Sequence, residues 1–136
     1  MPLLETDIIF AYLNRDDKHH DTATAVFNAI KHGTILSICS LSLVELELIY
    51  KSNKLEEYLI PHIAALTTLP NVTYASLSVD IVLSSIYLRQ SNGLSFFDSH
   101  YAATALRGDS RIVSTDRAYN NVPGLTRIDP SDYVYD

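Results

Sequence analysis

The chain is 136 residues long, carries a formal net charge of −6 and contains a single cysteine, Cys39. This length predicts one domain, spanning residues 1–136, because it is too short for two independent hydrophobic cores. Cys39 cannot form an internal disulfide, and no apolar stretch approaches the roughly 18 residues of a membrane span. The N-terminal segment lacks the basic head of a signal peptide, so we expect a cytoplasmic protein without membrane contact. The acidic balance argues against a large basic surface for duplex DNA, but it leaves nucleic acid open as a substrate.

Short strand-like runs alternate with longer helical patterns along the chain, which is typical of an α/β protein. The predicted elements in chain order are a strand at 3–4, helices at 8–13 and 20–31, a strand at 35–39, helices at 42–51 and 55–69, a strand at 72–75, helices at 78–91 and 95–107, and strands at 111–114 and 125–128. Strands that are joined through helices must be parallel. We therefore predict a three-layer α/β/α sandwich with a central parallel sheet.

Two details of the predicted helices can be checked against the structure. Pro61 predicts a break or a kink in the helix at 55–69, because proline removes a backbone hydrogen bond and clashes with the preceding turn. Apolar residues at helical spacing predict the buried face of the helix at 78–91. They are Val79, Val82, Leu83 and Ile86.

Isolated acidic residues lie where predicted strands end and where the following helices begin. They are Asp7, Glu45, Asp98 and Asp116, with Glu5 two residues before the first of them. Sites in parallel sheets lie outside the carboxyl ends of the strands, and residues two apart on an extended segment share a face. Each acid also has a structural interpretation: Asp7 and Asp116 as helix N-caps, Asp98 as the third residue of a capping box in which Ser95 is the N-cap, and Glu45 as a solvated helical residue. Their common placement favours one shared site over four unrelated roles.

The side chains in this set determine the chemistry that it can perform. Carboxylates without histidine or cysteine partners form a hard oxygen ligand set, which suits Mg²⁺ or Mn²⁺ rather than zinc. His19 and His20 are adjacent on a predicted helix and therefore do not face a common ion. The four glycines are too scattered for a phosphate-binding loop, and Cys39 has no plausible base partner. The sequence therefore predicts a divalent-metal site.

Four stretches of the chain resemble the PIN-domain family and, in size and layout, the VapC-type toxin ribonucleases of prokaryotic toxin–antitoxin pairs. They are residues 4–13, 42–46, 94–105 and 112–119, and together they span nearly the whole chain. The glutamate and the two later aspartates of the family fall on Glu45, Asp98 and Asp116. The first motif of the family usually begins with aspartate, whereas this chain has Glu5-Thr6-Asp7. Either Glu5 or Asp7 is therefore the first ligand.

The resemblance implies a Mg²⁺- or Mn²⁺-dependent endoribonuclease, in which the metal holds a phosphodiester and lowers the pKa of a bound water. The implied direct ligands are Glu5 or Asp7, Asp98 and Asp116, with Glu45 as a further ligand or as the base that orients the water. Thr6, Ser114 and Thr115 are expected to contact substrate or to support these acids. The family also implies a homodimer and, for its toxin members, an antitoxin protein that covers the site.

Two other interpretations of the sequence stay open. A glutamate where aspartate is usual, together with few basic residues near the motifs, favours a PIN-like module that binds RNA or protein without cutting. A phosphatase or phospho-acceptor domain would also use Mg²⁺ on a parallel sheet. Such domains need a lysine late in the chain or a second aspartate beside the reactive one, and no lysine follows Lys54.

Overall fold

A five-stranded parallel sheet forms the centre of the molecule. The computed structural model describes residues 1–133, in which the strands are β1 (Leu3–Leu4), β2 (Leu36–Cys39), β3 (Val72–Ala75), β4 (Arg111–Val113) and β5 (Thr126–Ile128). Their order is β3-β2-β1-β4-β5, and every neighbouring pair is parallel. Residues 134–136 of the predicted domain lie outside the described part of the chain.

Seven α-helices surround the sheet within residues 1–133. They are α1 (Thr6–Leu13), α2 (His20–Lys31), α3 (Leu41–Ser52), α4 (Leu59–Thr67), α5 (Val79–Asn92), α6 (Phe96–Arg107) and α7 (Pro130–Tyr133), with 3₁₀ turns at Glu56–Tyr58 and Arg117–Asn121. In this part of the chain, no helix is both long enough and apolar enough to cross a membrane. The short α7 was not among the predicted elements.

The two faces of the sheet carry separate hydrophobic cores. Successive side chains on a strand point to opposite faces, so neighbouring residues of β1 and β4 enter different cores. Leu4 and Val113 pack with α1, α2, α3 and α4, whereas Leu3 and Ile112 pack with α5 and α6. The helices therefore form one layer on each side, and the predicted three-layer sandwich is confirmed.

Helix α5 buries a different face from the predicted one. Val79 and Leu83 are 76% and 61% exposed, whereas Ile81, Ser85 and Leu88 are buried. Val82 and Ile86, also predicted as buried, are exposed as well. Apolar residues surround most of this helix, so their spacing alone cannot select the buried side.

Packing between α5 and α6 selects that side. The Arg89 guanidinium of α5 donates to the Ser85 Oγ at 3.3 Å and to the Ser99 Oγ at 2.8 Å. The two serines are buried, so this polar contact lies between the helices and keeps the Ser85 side of α5 inward. A contact between helices cannot be read from the periodicity of one of them.

The helix predicted at 55–69 is interrupted, but between Tyr58 and Leu59 rather than at Pro61 itself. The 3₁₀ turn Glu56–Tyr58 ends where α4 begins at Leu59, which places Pro61 in the first turn of the helix. At that position the missing N–H is one of those that have no partner within the helix anyway. Helix α1 begins earlier than predicted, at Thr6, so Asp7 lies within its first turn.

The order of the strands locates a crevice at the carboxyl edge of the sheet. The chain places β2 and β3 on one side of β1 and then returns to place β4 and β5 on the other. Between β1 and β4 the direction of growth reverses, and ligands of parallel sheets bind outside the strand ends at such a switch point. Glu5 directly follows β1, and Ser114 directly follows β4.

Candidate metal centre

The segment after β4 is hydrogen bonded to two acids that follow β1. Ser114 Oγ donates to Glu5 Oε2 at 3.0 Å and to Asp7 Oδ2 at 3.3 Å. The backbone N–H and the Oγ1 of Thr115 donate to the same Asp7 oxygen at 3.1 and 2.6 Å. Neutral donors thus hold both carboxylates at the switch point, and no lysine or arginine in the described part of the chain contacts either of them.

Glu5 is buried in this crevice, with 5% of its surface exposed. Burial raises the pKa of the Glu5 carboxyl well above its ordinary value of 4.5, because the charged form loses its hydration. The adjacent Asp7 carboxylate raises this pKa further, and the charges of Asp98 and Glu45 add to the rise. The pKa of Glu5 therefore depends on acids carried by α1, α3 and α6 as well as on its own burial.

Asp98 lies in the first turn of α6, where Ser95 is the N-cap. The backbone N–H of Asp98 donates to Ser95 Oγ at 3.3 Å, so the predicted cap exists. The carboxylate instead accepts a hydrogen bond from the Tyr119 hydroxyl at 3.2 Å. Burial raises the pKa of Asp98, and the charges of Asp116 and Glu45 raise it too, against the lowering effect of the Ser95 and Tyr119 hydrogen bonds. Asp98 and Asp116 therefore belong to the same crevice.

Glu45 lies on α3 and faces the same region from the other side of β1. The Tyr101 hydroxyl of α6 donates to Glu45 Oε1 at 2.8 Å. Burial raises the pKa of Tyr101, which keeps this phenol a neutral donor. One turn away from the carboxylate, Thr6 Oγ1 donates to the buried Ser42 Oγ at 2.9 Å and joins the start of α1 to the start of α3.

Asp116 caps the 3₁₀ turn that follows β4. Its Oδ1 accepts the Ala118 N–H at 2.9 Å, and its own N–H donates to Ser114 Oγ at 3.0 Å. The predicted alternative of an N-cap is therefore correct for one oxygen of this acid. Its other oxygen accepts no hydrogen bond from residues 1–133, and the side chain is exposed at the mouth of the crevice.

A family model described as the PIN domain matches residues 3–125, which includes all five acids. The chain belongs to the PIN-domain family. The family predicted from the sequence is thus confirmed. A search of curated protein sequences finds no match to this PIN domain.

Several solved structures share this fold, and two of them are described as a toxin–antitoxin complex or a toxin. VapBC2 from Rickettsia felis, bound to a DNA fragment from its promoter, has a TM-score of 0.73 and 17% identity over 93% of this chain and 96% of that one. A toxin–antitoxin complex from Klebsiella pneumoniae has a TM-score of 0.69 and 21% identity over 96% and 98%. VapC20 from Mycobacterium tuberculosis, a sarcin-ricin loop cleaving toxin, has a TM-score of 0.70 and 16% identity over 85% and 90%. At these identities the likeness establishes the fold.

The donors in this PIN domain suit a hard divalent cation. Every candidate ligand is a carboxylate, and the groups that contact them are hydroxyls, phenols and amides. Among the described residues, no three acidic, histidine or cysteine side chains are already close enough to enclose a metal ion. Mg²⁺ keeps several of its water ligands and needs only one or two protein carboxylates, so the arrangement fits a hydrated ion.

Two buried tyrosines of this site had no role in the sequence analysis. Tyr101 and Tyr119 each lie three residues after a candidate acid, yet each donates to an acid on another element. Burial raises the pKa of Tyr119, and the charges of Glu5 and Asp98 raise it further, so this phenol also stays a neutral donor. The signal in the sequence was the repeated spacing of three residues between aspartate and tyrosine.

Proposed function

We propose that this PIN domain is a Mg²⁺- or Mn²⁺-dependent endoribonuclease and the toxin of a toxin–antitoxin pair. The observation that supports the proposal is a group of acids around Ser114, which hydrogen bonds to Glu5, to Asp7 and to the backbone of Asp116 without a cation in contact. Burial, together with repulsion from neighbouring acids, raises the pKa of both Glu5 and Asp98, so the charged forms are unfavourable without a cation. A bound cation would relieve that repulsion, and binding it would be the shared role of these acids.

Glu5 fits the position of first ligand better than Asp7 does. Asp7 Oδ2 already accepts three hydrogen bonds from Ser114 and Thr115, and its Oδ1 accepts the Ile8 N–H at 2.8 Å. The hydrogen bond from Ser114 reaches only Oε2 of Glu5. We therefore assign Asp7 to holding the turn after β4 in place, with Glu5 directed towards the ion.

Glu5, Asp98 and Asp116 would hold the ion, and Glu45 would hold it or act as the base. When bound, Mg²⁺ or Mn²⁺ supplies Lewis-acid activation of water and balances charge at the phosphodiester. Tyr119 fixes one oxygen of Asp98 and leaves the other available. Tyr101 does the same for Glu45, so its free oxygen is positioned to accept a proton from an attacking water.

The toxin assignment draws on the solved structures that share the fold, two of which are described as a toxin–antitoxin complex and a toxin. We propose a homodimer in the cytoplasm and a protein antitoxin that covers the acidic crevice. A basic segment of that antitoxin would complement the net charge of −6.

Two variants and one control test the nuclease. Asp98→Asn should lower Mn²⁺-dependent cleavage of single-stranded RNA by more than about 100-fold, since even the outer partners of metal ligands are worth about 10- to 100-fold. Glu45→Gln should lower it strongly, whereas Glu47→Gln, two residues away on the exposed side of α3, should leave it unchanged. Thermal unfolding of each variant checks that the fold is kept. Undiminished cleavage by folded Asp98→Asn and Glu45→Gln proteins would show that another site, or a contaminant, cuts the RNA.

A PIN-like binding module is the second candidate. It is favoured by the glutamate in place of the usual aspartate and by the extensive hydrogen bonding of Asp7. The two candidates differ in metal affinity, because a module that only binds RNA has no need of an ion. Isothermal titration with Mn²⁺ separates them: no measurable binding by the wild-type chain supports the module.

A further inference from the structure

A polar cavity of about 460 Å³ adjoins the acidic crevice, and its volume lies within the range of about 300–1,000 Å³ typical of small-molecule sites. Its walls come from the loop before α2, the segment after β4 and the start of α7. The polar residues that line it on these three elements are Lys18, His19, Thr22, Thr115, Arg117 and Ser131. Thr115 connects the two regions, since its hydroxyl donates to Asp7 in the crevice.

This cavity carries uncompensated positive charge. Lys18 and Arg117 are exposed, and neither side chain has an ion pair or a hydrogen bond to any residue in the described part of the chain. One acid, Asp129, lines the same cavity, but it is already bound. The N–H and Oγ of Ser131 donate to it at 3.0 and 2.6 Å, and Arg127 Nη1 lies 3.6 Å from its other oxygen.

The backbone adds to the attraction for an anion. His19 is the N-cap of the twelve-residue helix α2, and no side chain caps the first turn. Two acids lie near this cap: Asp17, in the preceding loop, accepts the His19 N–H at 2.8 Å, and Asp21 lies in the first turn of α2 but does not line the cavity. The free N–H groups of a helix start bear partial positive charge, which supports the charge of the two side chains.

We propose that Lys18 and Arg117, with the hydroxyls of Thr22 and Ser131, bind a phosphate of the RNA strand next to the one that is cleaved. The proposal rests on the proposed ribonuclease function. The acidic crevice by itself repels a polyanion, so the strand needs cationic contacts beside it. Phosphate contacts supply affinity and fix the register of a nucleic acid strand without reading its sequence.

RNA binding, measured apart from cleavage, tests this subsite. The probe is a fluorescein-labelled single-stranded RNA of mixed sequence, titrated by anisotropy into Asp98→Asn protein with Mg²⁺ at several NaCl concentrations. Lys18→Gln and Arg117→Gln should each weaken binding about fivefold, the effect of losing one exposed charge pair. Each should also reduce the slope of log K against log salt by about 0.7, and the double variant by about 1.4. Lys51→Gln, an exposed lysine at the far end of α3, is the matched control.

Three outcomes would overturn the subsite. The Asp98→Asn parent protein could fail to bind RNA, or the Lys18→Gln, Arg117→Gln double variant could keep the affinity and salt slope of the parent. The double variant could also lose binding of inorganic phosphate while it still binds RNA as the parent does. The last outcome would assign the cavity to a small free anion. The test also separates this proposal from the nuclease. If RNA binding depends on Lys18 and Arg117 but the wild-type chain does not cut RNA, the subsite is supported and the nuclease is contradicted. If the chain cuts RNA efficiently and neither substitution changes the rate, the nuclease is supported and the subsite is contradicted.

Discussion

Acidic residues at the two ends of the β1–β4 strand pair differ in their hydrogen-bond partners and in the direction in which their pKa values are shifted. At the amino end, Asp109 binds Arg111 Nη2 at 2.7 Å and the N-terminal ammonium at 3.1 Å. Burial works against ionisation there, but hydrogen bonds from Arg111 and the N-terminus outweigh it and lower the pKa of Asp109. At the carboxyl end, Glu5 and Asp7 receive only neutral hydroxyl and amide donors, and the pKa of Glu5 is raised by burial and by its neighbours.

The difference indicates which acids serve the fold. Where the chain uses a carboxylate to hold strands together, it also supplies the cation. Where it collects carboxylates at the switch point, it leaves the repulsion in place, at the expense of stability. Perturbed acids of this kind are concentrated at functional sites, and in the proposed function a metal ion would supply the positive charge.

The largest expected effect is stabilisation by the metal itself. Mn²⁺ at 100 times its dissociation constant should raise the free energy of unfolding by about 2.7 kcal/mol, because it binds the folded state alone. Thermal unfolding with increasing Mn²⁺, reversed by EDTA, measures the effect. If Mn²⁺ stabilises an Asp98→Asn, Asp116→Asn double variant equally, the ion binds outside the crevice. The contrast between the two ends of the strand pair would then have no connection with a metal.

Without metal, Glu5→Gln is expected to raise the free energy of unfolding by a smaller amount, because it removes a carboxylate instead of adding a cation. The folded-state pKa of Glu5 is raised, so its stabilising contribution is complete below 4.5, the ordinary value, and is lost as pH rises through the folded pKa. Above that pH the E5Q protein should be more stable than wild type by about 1 kcal/mol, as is common when a functional site is relieved of strain.

Urea unfolding in EDTA over a series of pH values measures this difference. The gap between the two proteins should close as pH falls towards 4.5. Glu47→Gln, on the exposed side of α3, should follow the wild-type profile throughout. An E5Q protein that is less stable than wild type at neutral pH would mean that Glu5 serves the fold, as Asp109 does.

Asp109→Asn should act with the opposite sign and the smallest magnitude. The folded-state pKa of Asp109 is lowered, so its contribution is present above 3.8, the ordinary value, and is lost as pH falls through the folded pKa. The side chain is 28% exposed, and such pairs are worth about 0.5 kcal/mol. Unfolding midpoints at neutral pH in low and high salt should show a small loss that salt diminishes. A salt-independent loss would point to packing rather than charge.

Much of this architecture follows from patterns within single elements. Alternating strand and helix periodicity predicted the parallel sandwich, and the rule for carboxyl ends of strands led to Glu5, Asp7 and Asp116, which hydrogen bond to the same serine, Ser114. The buried face of α5 could not be obtained that way. Its apolar residues surround the helix, and the Arg89 contact with Ser99 on α6 selects the inward side.

The finer parts of the candidate site depend on contacts between distant elements. Tyr101 and Glu45 are 56 residues apart, and no local pattern links them. Whether Glu5 or Asp7 faces the ion was also open in the sequence, because both share a strand end. The hydrogen bonds from Thr115 that occupy Asp7 come from 108 residues away and bear on that choice.

The central position of β1 has a consequence for when the crevice can form. Leu3 and Leu4 pair with Ile112 and Val113, and Ser114 reaches Glu5 across 109 residues. Pairings so distant in the chain close slowly, because a long loop must be ordered before they contribute. During synthesis β1 cannot pair with β4 until almost the whole chain has been made, so a nascent copy has no assembled acidic crevice. For the nuclease that we propose, this topology would delay assembly of the site until translation is nearly complete.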